Sequence, residues 1–337
     1  MLKKFVVFCF LISIVLIGCS KSTEIKDDSS SQAAEKIVKI ALITSSGGLG
    51  DRSFNDAAYE GLQRAEADYG IEIKVIEPQG VSDYQQSLKL VSTAGYDLVI
   101  TVGNDWSDAL SIIAPNFPDT KYAAINLNIS LDNLQVAQFA DHEGSFLAGA
   151  FAALMTKTNK IGFIGGMDVP AIKRFYVGYE EGAKYANNDI EVIPTYVGSF
   201  ADPFKGKEFA LQLIGEDCDI IFHAAGKTGE GLFDAIKTSD DVYAIGVDRD
   251  QDSIVEGKIL TSMIKSVDAA IYDMAGSFVD GTFETGIVEY GLEEKGVGLS
   301  EMKYTKDIIP SDVLDQLDDI KAKIINGEIV VTDVFEK

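Results

Sequence analysis

The chain has 337 residues, 46% hydrophobic and 24% charged, the balance of a folded globular protein long enough for two domains with cores of their own. Its 53 acidic side chains against 29 basic ones leave a net charge of −24, which argues against a nucleic-acid binder, where affinity rests on neutralising phosphates. Three cysteines and two histidines are too few for a disulfide scaffold, a zinc cluster or a histidine-rich metal site.

At the start of the chain, Lys3 and Lys4 precede residues 5–17, a run apolar but for Ser13. This reads as a secretory leader and is too short for a spanning helix, which needs about 20 residues. Leu16-Ile17-Gly18-Cys19 follows and resembles a bacterial lipoprotein signal, in which residues 1–18 are removed and Cys19 becomes the lipidated first residue. Several acyl chains on one residue hold a protein stably on a membrane, where a single chain does not. Removal of the leader leaves 27 basic against 53 acidic side chains, a net −26. Cys9 goes with the leader, so Cys218 is the folded body's one thiol and reads as buried and inert. Residues 19–36 are polar and serine-rich, a flexible tether.

The body begins at about residue 37. Residues 38–43 read as a buried strand, 54–69 as an amphipathic helix and 71–76 as an alternating strand. Strands at 96–102 and 122–127 follow, with helical stretches between. Such alternation implies parallel sheets with helices on both faces. The succession then recurs about 121 residues later: Ile40 aligns with Ile161, Tyr59 with Tyr179, Gly61 with Gly182, Asp97 with Asp219 and Tyr122 with Tyr243. Two similarly built α/β lobes are expected, residues 37–140 with about 266–288 and residues 141–265 with about 289–337. The crossings fall near 141–149, 261–266 and 286–291. Residues 310–326 read as a final helix, started by Ser311 and Asp312 and ended by Gly327. Ligands of open α/β sheets bind beyond the carboxyl ends of the strands. The loops 45–53, 103–106, 165–168, 198–204, 226–231 and 248–251 are therefore expected around one cleft.

Enzyme motifs are thin. Ala225-Gly226-Lys227-Thr228 lies between a strand and a helix, but a phosphate-binding loop needs glycine where Ile221 stands, and the equivalent loop 103–106 has no lysine. Lys227 is expected to line the cleft or face solvent. There is no G-x-S-x-G elbow, and neither His142 nor His223 stands at motif spacing from a serine or cysteine, which weakens a hydrolase without excluding it. His223, in an apolar strand, reads as a packed histidine. More informative is Gly47-Gly48-Leu49-Gly50-Asp51-Arg52-Ser53-Phe54-Asn55. Its glycines permit a tight turn close to a ligand, and Ser53 is placed to cap the following helix. Asn55 offers amide donors and an acceptor. Phe54 either presents a flat face to the cleft or staples the helix to its own sheet.

Residues 47–61, GGLGDRSFNDAAYEG, resemble the signature of the basic membrane protein family, the nucleoside-binding lipoproteins of bacterial ABC transporters. Blocks at 139–156, 197–210, 223–233, 244–251 and 259–273 resemble later parts of that family in order, so the resemblance runs from about residue 38 to the C-terminus. It implies an α/β type I periplasmic-binding-protein fold, two Rossmann-like lobes with parallel sheets joined by hinge strands. It further implies a purine sandwiched by aromatic side chains, with carboxylates on the ribose hydroxyls. Carried over by position, Phe54 stacks on the base, Asn55 bonds near it and Asp248 accepts from the ribose diol. Asp141, Gly226 and Lys265 are further contacts. Phe200 and Phe222 are both candidates for the second aromatic wall, with Trp106 helping to close the pocket. Family members commonly carry aspartate where this chain has Ser45, whose hydroxyl donates as well as accepts, so the base preference stays open.

The implied protein is a monomeric receptor on the extracytoplasmic face of the membrane, without cofactor or metal. It would pass adenosine, guanosine or inosine to an ABC permease, and its acidity favours a neutral nucleoside over a nucleotide. Alternatives are the same fold binding riboflavin or a sugar-like signal, a nucleoside-processing enzyme or an NTPase using Lys227, and a surface adhesin or signalling receptor.

Overall fold

The computed structural model describes residues 36–335; the leader, Cys19 and the tether as far as residue 35 lie outside the described residues. The first half forms β1 (Lys39–Ile43), α1 (Phe54–Tyr69), β2 (Glu72–Ile76), α2 (Tyr84–Thr93), β3 (Leu98–Val102), α3 (Ser107–Ile113), β4 (Lys121–Ile125) and β5 (Leu134–Phe139). After α4 (Asp141–Met155) the pattern repeats as β6 (Lys160–Gly165), α5 (Pro170–Ala186), β7 (Glu191–Tyr196), α6 (Pro203–Gly215), β8 (Ile220–Ala224), α7 (Glu230–Ile236), β9 (Tyr243–Asp248) and β10 (Ile259–Lys265). Then come α8 (Val267–Val279), β11 (Gly286–Tyr290), β12 (Val297–Leu299) and α9 (Ser311–Ile325).

Two six-stranded sheets result, ordered β11-β5-β4-β3-β1-β2 and β12-β10-β9-β8-β6-β7. All pairings are parallel except β10 with β12. Within each half the order is the doubly wound 2-1-3-4-5, whose topological switch lies between the first and third strands. Central strands β3 and β8 are buried along their whole length, Thr101 and His223 included, as strands covered on both faces should be. The expected strand at 122–127 stops at Ile125 because Asn126 takes a left-handed φ of 58°.

The repeat also has a packing reason. A Cβ on Gly61 would lie 2.2 Å from the Asp268 carbonyl oxygen of α8, and one on Gly182 would lie 1.9 Å from the Phe146 carbonyl oxygen of α4. Each glycine lets a neighbouring helix backbone press close, α8 onto α1 and α4 onto α5. The chain leaves the first sheet at Ala140, re-enters it for β11 by way of α8, and leaves again after Tyr290, whose carbonyl accepts from the Ala140 N–H at 3.1 Å. Among the described residues no helix is long and apolar enough to cross a membrane.

Candidate functional site

The carboxyl ends of β1 and β3 face those of β6 and β8 across a cavity of about 740 Å³, counted to its open mouth. The first half contributes Ser45, Ser46 and Gly47, then Asp51, Phe54 and Asn55, and Gly103 to Asp105 with Asn126. The second contributes Ala171, Ile172 and Phe175 from α5, Phe200, the stretch 224–227, and Val247, Asp248 and Lys265. Both switch points thus open onto one space.

The β1–α1 loop is fixed by Asp51. Its carboxylate accepts from the backbone N–H of Ser53 at 2.9 Å, of Asn55 at 2.9 Å and of Asp56 at 3.1 Å, and from the Asn55 amide at 2.9 Å. The expected cap at Ser53 is therefore supplied by Asp51; the helix N-terminus attracts a carboxylate. Ser53 is freed to donate its hydroxyl to Asp248 across the cavity. With its amide nitrogen committed to Asp51, Asn55 turns its oxygen to the Ser45 N–H at 3.0 Å. Asp56 accepts from the Arg52 N–H at 2.9 Å and supports that residue's left-handed φ of 49°. Arg52, Asn126 and Asp248 (φ 65°) are non-glycine residues in left-handed conformations at this cleft, the kind of strain that functional sites hold.

At the other end Lys265 is buried, its Nζ 3.0 Å from an Asp141 oxygen and 5.0, 5.3 and 5.4 Å from the ring centres of Phe54, Phe139 and Phe175. An ammonium over aromatic faces is stabilised by the ring quadrupoles. Asp141 also accepts from the Asn126 amide at 2.6 Å. Burial pushes the Asp248 carboxyl up to about 6, against the opposing pull of Lys265 and the Ser53 hydroxyl. Behind α4, the guanidinium of Arg174 donates to both oxygens of Asp333 at 2.8 and 2.7 Å and to the Phe139 carbonyl at 2.8 Å, tying the C-terminal segment to the crossing between sheets.

Of the residues singled out in the sequence, Ser45, Phe54, Asn55, Phe200, Gly226, Asp248 and Lys265 line the cavity. Three do not. Trp106 is fully buried, stacked on Tyr84 with ring centres 3.7 Å apart and planes 9° from parallel. Phe222 sits mid-strand in β8, fully buried among Phe163, Phe175 and Tyr179, so it packs the second sheet and offers no wall. Asp141 stands behind Lys265 and Asn126. Phe200 remains as the outer aromatic, seated where a Cβ on Gly166 would lie 2.3 Å from its ring. Phe175, unremarked in the sequence, lines the inner part; the offset of 121 that relates Gly61 to Gly182 also relates Phe54 to Phe175.

Also missed were Asn126, Asp51 and Asp105. Both Asp105 oxygens lie within reach of the Tyr84 phenol, at 3.1 and 3.0 Å. Desolvation raises its carboxyl above the usual value, and the phenol's hydrogen bond opposes this. Contacts also bridge the halves outside the cavity: the Gln251 amide donates to the Arg52 carbonyl at 2.9 Å, Arg249 pairs with Glu60 at 2.7 Å, and Arg52 approaches Glu230 at 3.6 Å. Gln251 is oriented from behind, its oxygen accepting from the Val247 N–H at 2.8 Å and lying 3.1 Å from His223 Nε2. His223 is a packed residue whose burial lowers its pKa to about 4. Cys218 is buried and its thiol pushed up to about 12, an unreactive group. Among the described residues no three His, Cys, Asp or Glu side chains are placed to hold a metal ion.

A cavity lined by aromatic rings, carboxylates and amides suits a small polar ligand with a flat apolar part. A solute-binding protein of an ABC transporter system from Aeropyrum pernix superposes with a TM-score of 0.84 at 30% identity, over 88% of this chain and 93% of that one. The ABC transporter nucleoside-binding protein BmpA of Lactococcus lactis is 36% identical over 94% of both chains. Basic membrane protein A of Borreliella burgdorferi is 35% identical over 98% of this chain and 96% of its own. Residues 37–334 match the model of the Bmp family, and the chain belongs to these PnrA-like ABC transporter substrate-binding proteins.

Proposed function

We propose that the protein is a lipid-anchored receptor that closes on a neutral purine nucleoside and presents it to an ABC permease. One observation carries this reading: a single cavity joins aromatic faces from both halves, Phe54 and Phe200, to a buried carboxylate at Asp248. The base stacks between the rings near Ser45 and Asn55. The ribose lies toward Asp248, Lys265 and Asn126, where a diol supplies hydrogen bonds to a carboxylate that burial otherwise penalises. The name of the Lactococcus relative supports the ligand class.

Residues 37–140 with about 266–288 move as one lobe and 141–265 with about 289–337 as the other, hinged at the crossings. The receptor acts as a monomer, without cofactor or covalent chemistry, held through Cys19 on the extracytoplasmic face.

Native mass spectrometry of the protein as purified tests the ligand, because a closed receptor retains it and its mass names it. Isothermal titration against purine nucleosides, pyrimidine nucleosides and riboflavin follows. Heat from riboflavin alone would overturn the nucleoside reading, and release of free base from inosine in proportion to added protein would replace the receptor with an enzyme.

A further inference from the structure

Three carboxylates line the cavity, and two are already committed. Asp51 accepts from three backbone N–H groups and the Asn55 amide. Asp248 holds the Ser53 hydroxyl and lies in the field of Lys265. Asp105 differs from both. Its one partner on another described residue is the Tyr84 phenol, its own backbone N–H is the other donor, and it has no ion pair there. An ionised carboxylate has about four lone-pair sites, so about half of its accepting capacity is unused.

Asp105 is also firmly positioned. Tyr84 is buried and stacked on Trp106, so the phenol that holds the carboxylate cannot drift. A Cβ on Gly103 would lie 3.2 Å from Asp105 Oδ1 and 3.2 Å from Ser45 Cβ, which puts the carboxylate on the wall of the cavity that carries Ser45. Asn104 lines the cavity beside it, its amide without a partner among the described residues.

An acceptor held at the base-binding wall of an aromatic slot selects a base edge with N–H donors, because a base without them leaves the desolvated carboxylate unpaired. Guanine presents two adjacent donors, the ring N1–H and the exocyclic amine, and can engage both oxygens. Hypoxanthine presents one, and adenine's N1 is an acceptor that faces the carboxylate lone pair to lone pair. We propose that Asp105, positioned by Tyr84, is the specificity-determining residue of this receptor and selects 6-oxopurine nucleosides, guanosine before inosine before adenosine. The inference rests on the nucleoside reading of the cavity.

Titration of ligand-stripped wild type, Asp105→Asn and Tyr84→Phe with guanosine, inosine and adenosine decides it. The wild type should bind guanosine at least tenfold more tightly than adenosine, with inosine between. Asp105→Asn keeps the shape and should lose at least tenfold on guanosine while adenosine changes less than threefold. Tyr84→Phe should move selectivity the same way by a smaller factor. If thermal unfolding reveals that Asp105→Asn has not folded, the wild-type order and Tyr84→Phe carry the test. Equal wild-type affinity for adenosine and guanosine, or a uniform loss on all three in the variants, would overturn the assignment while leaving the nucleoside receptor standing. Failure of the wild type to bind any of the three would remove the nucleoside reading and this assignment with it.

Discussion

The loops after β3 and β8 occupy equivalent places in the two halves, 122 residues apart, and put opposite charges on one cavity: Asp105 from the first, Lys227 from the second. What stands behind each differs more than the charge. Asp105 is held by the phenol of a buried, stacked tyrosine. Lys227 is half-buried, with Thr228 beside it donating its hydroxyl to the Ser199 carbonyl at 2.8 Å and accepting from the Asp202 N–H at 2.9 Å. The second loop is thus pinned through its neighbour and leaves the lysine itself unclamped. A duplicated framework can keep strand order and helix packing in both copies while only one copy fixes its side chain well enough to read a ligand.

The largest effect should come from breaking that asymmetry at its fixed side. Asp105→Lys places a cation where N–H donors are to be accepted and should weaken guanosine binding at least a hundredfold by calorimetry, about 3 kcal/mol. Lys227→Asp, the mirror change, should weaken it less than fivefold.

Asp248 comes next. Asp248→Asn should reduce affinity about thirtyfold at pH 7.5, and wild-type affinity should fall toward that of the variant as pH drops through about 6, where the buried carboxyl takes up its proton. The stability of the empty protein runs the other way. A folded pKa raised above the unfolded 3.8 means the contribution is fully present below about 3.8 and lost as pH rises through about 6. The variant should therefore unfold at a higher temperature than wild type at pH 7.5, with the difference closing below pH 4. A difference that grew on acidification would contradict the buried, destabilising carboxylate.

Phe54→Ala should cost about tenfold in affinity, in keeping with about 1–3 kcal/mol for one base-stacking face, while leaving the unfolding temperature of the empty protein nearly unchanged. A large stability loss with intact affinity would mean that Phe54 merely staples its helix. Lys227→Ala should change guanosine affinity less than threefold.

Much of the framework was legible because it follows from local periodicity. The helix expected at 54–69 forms as Phe54–Tyr69, and the final helix expected at 310–326 forms as Ser311–Ile325. The aromatic walls were harder to read. Phe222 is as aromatic as Phe54, but a residue within a buried central strand points into a helix layer, whereas one at a helix start beyond a strand end faces the cleft. Trp106 does stand in such a loop; its burial is decided by Tyr84, 22 residues earlier, which no local pattern reveals. The role of Asp51 is not legible locally, because its four donors come from a helix N-terminus whose start fixes which residue caps it, and Ser53 is the equally good candidate. Phe175 could have been found, since the 121-residue offset already applied to Gly61 points to it.

The stack of Trp106 on Tyr84 has an optical consequence. Trp106 is the only tryptophan in the chain, so all indole emission comes from one place. That place lies outside the cavity, where a ligand cannot quench it by contact, yet its partner ring ends in the hydroxyl that holds Asp105. Occupancy of a non-fluorescent ligand would thus be readable from the unlabelled protein as a shift in a single emitter, one hydrogen bond and one ring removed from the event.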